Sequence, residues 1–181
     1  MNATRKAPTP RPERKQKRVS GLYQERVGEP YRTKGKLAEP TLCPRCGAVY
    51  HDARWQWLPK PAQARGRVCP ACKRIEEGLV AGFIDIGGEF AAAHRAEIMK
   101  LLKHQADAEG RQHPLQRIID IEAQGDGLRV TTTGIHLARR LGEALRHAYR
   151  GKLDFHYNAG EDLLRVYWFR DAPGRARAAV K

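Results

Sequence analysis

The chain predicts an α+β fold in two parts: a small cysteine-held ribbon over residues 40–80, then, over residues 81–170, an antiparallel sheet with two helices on one face. Three observations lead there. All four cysteines fall in two matched C-x-x-C pairs, apolar residues after position 81 recur alternately with strand and helix periods, and both ends are basic and poor in large apolar residues. The ends, residues 1–39 and 171–181, therefore read as a disordered arm and a short tail that add nothing to a core.

The pairs are Cys43-Pro-Arg-Cys46 and Cys69-Pro-Ala-Cys72, with 22 residues between Cys46 and Cys69. Two residues between ligands let a tight turn aim both thiolates at one ion, and two such turns complete a tetrahedron. Gly47, directly after the first pair, can take positive φ and finish the turn. A structural disulfide does not suit a reducing compartment, and a redox C-x-x-C stands alone rather than coming twice. The expected cofactor is one zinc ion. Four thiolates close its coordination sphere, so its role is structural rather than catalytic.

Between the pairs, "GAVYHDARWQWLPKPAQARGRV" reads as a hairpin followed by a proline-rich loop. Trp55 and Trp57 share one strand face with Tyr50 across from them; they serve either as packing for a unit with little other core or as stacking surfaces for bases beside Arg54. His51 reads as a surface or packing residue.

The second part opens with a strand in "GLVAGFIDIGG", closed by Gly87-Gly88. Phe90, His94, Ile98, Leu101 and Leu102 then mark a helix from about 89 to 109, with Gly110 as its stop. Two strands surround the Asp126-Gly127 turn. Thr133 offers the N-cap of a second helix whose buried stripe is Ile135, Ala138, Leu141, Leu145 and Ala148. A last hairpin alternates Leu153, Phe155, Tyr157 with Leu164, Val166, Trp168. The order β-α-β-β-α-β-β points to a ferredoxin-like sandwich with one added strand.

Charge points to the partner. Lys plus Arg number 34 against 20 Asp plus Glu, a formal net charge of +14, which favours polyanions. Residues 1–39 alone hold eleven Lys or Arg against four Glu. Candidate nucleic-acid contacts are Arg11, Arg14, Lys15, Lys17 and Arg18 in the arm, and Arg32, Lys34 and Lys36 before the first cysteine pair. Arg45, Arg54, Lys73 and Arg74 surround the metal, while Arg139, Arg146 and Arg150 project from the second helix with Arg140 and His147 on the adjoining flank. No apolar run reaches the roughly 18 residues a membrane span needs, and three prolines in the first twelve residues oppose a targeting helix, so a cytosolic protein is expected. No phosphate-cradling glycine loop, nucleophile elbow or H-E-x-x-H motif suggests an enzyme.

"CPRCG", "CPACKRIEEGLVAGFIDIGG", "GDGLRVTTTGIHLARRLGEAL" and "LLRVYWFR" together resemble the zinc-bearing N-terminal domain of the Nmd-three large-subunit export adaptors of archaea and eukaryotes, over roughly residues 43–169. The resemblance implies docking on the large ribosomal subunit through rRNA. This chain has four cysteines where that family holds more, and it lacks the family's further domains and export signals, so no export role follows. What is expected is a compact, non-enzymatic RNA- or ribosome-binding protein of bacterial type, acting in assembly or quiescence. A different class remains open: a protein adaptor in which the rings of "RWQW" and "RVYWFR" form a docking patch.

Overall fold

A computed structural model describes residues 37–158 and 162–171. The arm and tail candidates Arg11, Arg14, Lys15, Lys17, Arg18, Arg32, Lys34 and Lys36 lie outside the described residues.

The cysteine-bearing part holds four short strands, β1 (Thr41–Leu42), β2 (Val49–His51), β3 (Arg54–Gln56) and β4 (Arg65–Gly66), in the order β3-β2-β1-β4, then helix α1 (Pro70–Glu77). β2 and β3 are joined by Asp52 and Ala53, both at positive φ, the two-residue turn whose twist matches that of the strands. The Glu39 carboxylate accepts from both of their amides, at 2.8 and 3.1 Å, which holds a conformation that neither side chain favours. Helix α1 is signalled at both ends. Pro70 stands where a missing N–H does no harm, and Gly78 closes the helix at φ 64° with its amide on the Arg74 and Ile75 carbonyls. The sequence reading anticipated the hairpin but neither α1 nor β4.

The second part comprises β5 (Gly82–Gly87), α2 (Glu89–Ala93), α3 (Arg95–Gln112), β6 (Ile118–Gln124), β7 (Gly127–Thr132), α4 (Ile135–Tyr149), β8 (Lys152–Asn158) and β9 (Leu163–Phe169). Its five strands lie in the order β6-β7-β5-β9-β8. The expected wholly antiparallel sheet is corrected here, because β5 and β9 run parallel. Burial supplies the reason. Leu164, Val166 and Trp168 of β9 are all buried and demand a central place, whereas Leu153 and Tyr157 of β8 are only partly buried and Phe155 is 39% exposed, which suits an edge. The last hairpin thus inserts its second strand beside β5 and leaves its first outside. The added strand sits within the sheet, which departs from the ferredoxin-like order expected.

Two helix boundaries also differ from expectation. The first helix breaks at His94, whose ring stacks on Phe90 at 4.1 Å, and then continues through Gly110 to Gln112. Thr133 does not cap α4. Its hydroxyl instead donates to the Leu115 carbonyl at 2.6 Å and accepts from the Arg117 amide at 2.9 Å, while Gln116 Oε1 accepts from Leu137 N at 3.1 Å and does the capping.

The main core joins one sheet face to α3 and α4: Ile84, Ile86, Val130, Val166 and Trp168 meet Ile98, Leu102, Leu137, Leu141 and Leu145. Burying each such side chain contributes about 1.5–3 kcal/mol. Gly142 lets α4 approach closely, since a Cβ there would lie 2.6 Å from Val166 Cγ1. Gly88, at φ 98°, opens α2 where a Cβ would strike the Arg170 carbonyl oxygen at 2.2 Å.

Candidate metal centre and the cleft beside it

The four predicted ligands come together. The Sγ atoms of Cys43, Cys46, Cys69 and Cys72 all lie within 4.8 Å of one another, with Cys46 and Cys69 at 3.7 Å. A disulfide would need about 2.05 Å, whereas a tetrahedral ion with metal–sulfur bonds of about 2.3 Å spaces its sulfurs by about 3.8 Å. The cluster is positioned to hold one metal ion, with Cys43, Cys69 and Cys72 buried and Cys46 half-buried.

Each pair owes its aim to local backbone. In the first, Gly47 at φ 78° returns its amide to the Cys43 carbonyl at 2.9 Å, and Cys43 N donates to Ala48 O at 2.8 Å. In the second, Cys69 is the N-cap of α1 and accepts from Cys72 N at 3.5 Å, so the first helical turn itself presents both thiols. Cys69 N reaches across to Cys43 Sγ at 3.3 Å and ties one pair to the other.

These contacts set the thiol acidities. Burial opposes a Cys43 thiolate, yet the amides of Cys69, Cys46 and Arg45 outweigh it and lower the pKa to about 7. Burial pushes Cys69 far up, with the other sulfurs adding repulsion, and burial likewise raises Cys72. An ion at the centre offsets what burial costs there.

One cation from the sandwich enters this cluster. Arg117, directly before β6, donates from Nη1 to Cys72 Sγ at 3.4 Å and from Nε to Pro114 O at 2.7 Å. Burial works against its charge, but the Cys46, Cys72 and Cys69 sulfurs raise its pKa above the ordinary value. Four thiolates on a divalent ion carry a net negative charge, which a guanidinium at this place partly neutralises. Trp57, just past β3, fastens the other flank: its indole N–H donates to Gly110 O at 2.6 Å, and the Arg117 guanidinium lies 5.6 Å from its ring. Trp55 packs against the cysteine cluster and meets Tyr50 edge-on at 5.6 Å, so the two tryptophans do separate jobs.

Docking the ribbon on the sandwich opens a cleft of about 630 Å³. Tyr50, Arg54 and Trp55 form its ribbon wall, and His113, His136, Arg139 and Arg140 its helical wall. Glu143 accepts from Arg139 Nε at 2.7 Å, and Glu109 pairs with Arg140 and, at 3.7 Å, with His113. The Arg54 side chain makes no hydrogen bond or ion pair among the described residues and is exposed.

The remaining candidates separate by environment. Arg45 is exposed but bound to Glu76 at 2.6 Å, and exposed Lys73 pairs with Glu77 at 3.6 Å. Arg74 is a correction. It is 6% exposed, with Nη1 donating to Leu79 O at 3.4 Å, because it lies on the inner side of α1. Arg146 and Arg150 are exposed at the far end of α4 and do not line the cleft. Sequence reasoning missed Arg117, whose place before the apolar run "IIDI" carries no ligand signal. It named Arg140 only as a flank, and neither histidine of the cleft. No family model matches the chain, and neither does any curated protein or solved structure.

Proposed function

We propose that this is a non-enzymatic, zinc-containing RNA-binding protein that associates with rRNA, most simply on the large ribosomal subunit, in assembly or quiescence. Zinc is the ion that four thiolates in closed tetrahedral array suit best, and its part is to hold the ribbon in place. The observation that carries the reading is the convergence of Arg54 with Arg139 and Arg140 on one aromatic-sided cleft, from segments that are distant in the chain. A cleft with more cations than carboxylates, beside Tyr50 and Trp55, offers phosphate contacts and ring surfaces together. The net charge of +14 and the likeness to the Nmd-three adaptor domain point the same way. The binding site extends to the arm candidates, which settle along the phosphates through counterion release.

Sedimentation with ribosomes and titration of an rRNA hairpin over a salt series test this reading. From about 50 to about 200 mM salt the affinity falls by orders of magnitude if six or more phosphates are neutralised. Absence of binding even at the lowest salt would overturn it.

A second reading, a protein adaptor, draws support from exposed Trp57, Leu58, Ile75 and Leu79, each at least 40% accessible. Capture from lysate with and without RNase separates the two. An RNA binder loses its partners after digestion, whereas an adaptor keeps them.

A further inference from the structure

Among the described residues the helices cover one face of the five-stranded sheet and leave the other open. Along β9 the alternation sends Leu164, Val166 and Trp168 inward and Arg165, Tyr167 and Phe169 outward, so the "RVYWFR" segment is half core and half surface. Tyr167 and Phe169 are 40% and 47% exposed.

Their neighbours make these rings platforms rather than loose side chains. Phe169 is registered with Gly87 on one side and Lys152 on the other. A Cβ on Gly87 would lie 3.3 Å from Phe169 Cδ2, so the ring is backed by glycine while the residue keeps nearly half its surface in solvent. Tyr167 is braced edge-on by His156 at 5.5 Å. Phe83 is flanked by the guanidinium groups of Arg165 at 4.8 Å and Arg129 at 5.7 Å.

Charge on this face is divided. Asp85 is engaged by Arg129 through two hydrogen bonds, of 2.6 and 3.0 Å. The β9–β8 half then presents Arg165, Lys152 and His156 against Asp154, while the β6 edge presents Asp120 and Glu122. A polyanion is attracted along β9 and β8 and repelled from β6.

We propose that this open face binds single-stranded RNA, with consecutive bases stacked on Tyr167 and Phe169 and the phosphates taken by Arg165 and Lys152. The inference rests on the reading of the protein as an RNA binder and adds a second surface with a different preference: unpaired bases here, structured backbone at the cleft. Same-face residues two apart on a strand are about 7 Å from each other, a spacing that gives two successive bases of an extended strand one ring each. A protein interface wants an apolar centre depleted of charge. Here each exposed ring has a charged cross-strand neighbour, Asp154 beside Tyr167 and Lys152 beside Phe169, which disfavours a protein interface, while the cations Lys152 and Arg165 outnumber Asp154 along β8 and β9 and favour the nucleic acid.

The experiment titrates the full chain with a labelled single-stranded oligoadenylate and, separately, with an rRNA hairpin, at about physiological salt where long-range attraction between charges is screened. Tyr167→Leu and Phe169→Leu each weaken oligoadenylate binding roughly tenfold and leave the hairpin affinity unchanged, and Phe169→Trp restores stacking. Lys152→Glu, which removes no core atom, weakens the oligoadenylate in the same selective way and serves where a leucine variant unfolds. If the wild-type protein binds the hairpin but Lys152→Glu and the leucine variants bind oligoadenylate like the wild type, the open-face site is wrong and the RNA reading stands. If the wild type binds neither RNA, both fall.

Discussion

Arg117 Nη1 donates to Cys72 Sγ across 3.4 Å, so a residue of the sandwich is part of the surroundings of the candidate metal centre in the ribbon. The two parts, separable in the sequence at about residue 80, therefore share one electrostatic unit. Arg117 Nη2 is itself buried without a hydrogen-bond partner among the described residues, a cost that the neighbouring sulfurs counterbalance by charge.

Replacing that cation tests the coupling. Arg117→Met keeps much of the volume and removes the charge, and zinc retention falls by about 10- to 100-fold, the usual effect of losing a group that supports metal ligands. The rate of zinc transfer to a colorimetric chelator measures it. Transfer at the wild-type rate would mean the guanidinium is only packing.

Metal uptake depends on pH in a stated direction. Cys69 and Cys72 have raised pKa values, hold their protons at neutral pH, and release them on ligation. At least two protons leave per ion, so apparent affinity rises by about 100-fold or more per pH unit below neutrality. Cys43, with its pKa lowered to about 7, adds a further proton below that pH and none well above it, so the slope decreases as pH rises through 7. Competition with a chelator at several pH values reads the slope; a flat profile from pH 6 to 7 contradicts these acidities.

Trp57→Phe deletes one hydrogen bond, from the indole to the Gly110 carbonyl, while keeping a ring near Arg117. A modest stability loss follows, about 1 kcal/mol or less for a partly exposed bond. Faster amide exchange is concentrated around residues 110–117 and the β2–β3 hairpin. Uniform exchange changes across α4 and β9 would show that Trp57 does not act at this joint.

Arg54 and Arg74 divide binding from folding. Arg54→Ala lowers RNA affinity at unchanged thermal midpoint, because the side chain is exposed and unpaired among the described residues. Arg74→Ala lowers the midpoint, because the side chain is buried in α1 and its guanidinium serves the Leu79 carbonyl. Melting curves beside anisotropy titrations separate the two, and an Arg74 variant with unaltered melting would refute its structural role.

Local chemistry was legible in the chain before any coordinates. Paired cysteines specify the four-sulfur cluster, since C-x-x-C turns and Gly47 act over a few residues. Strand alternation specified that Leu164, Val166 and Trp168 project to one side of their strand and Leu153, Phe155 and Tyr157 to one side of theirs, and the register puts both sets on the same face of the sheet. Decisions made by tertiary competition were not legible. Which strand of the last hairpin lies beside β5 depends on relative burial, so the parallel pair was missed. Thr133 looks like an N-cap locally, but the Leu115 and Arg117 backbone claims its hydroxyl. Arg74 looks like any basic residue near a metal until α1 turns it inward. Gly110 suggests a stop, yet α3 continues to Gln112 and Trp57 caps the Gly110 carbonyl from outside.

Native mass spectrometry of the full chain, purified under reducing conditions without chelator, tests most directly whether four thiolates hold one structural zinc. The predicted mass exceeds that of the polypeptide by one zinc ion less about two protons, the two charges the ion itself brings, and acidification returns the metal-free mass. A polypeptide mass with no metal, or one lower by about four hydrogens as two disulfides would give, contradicts the account.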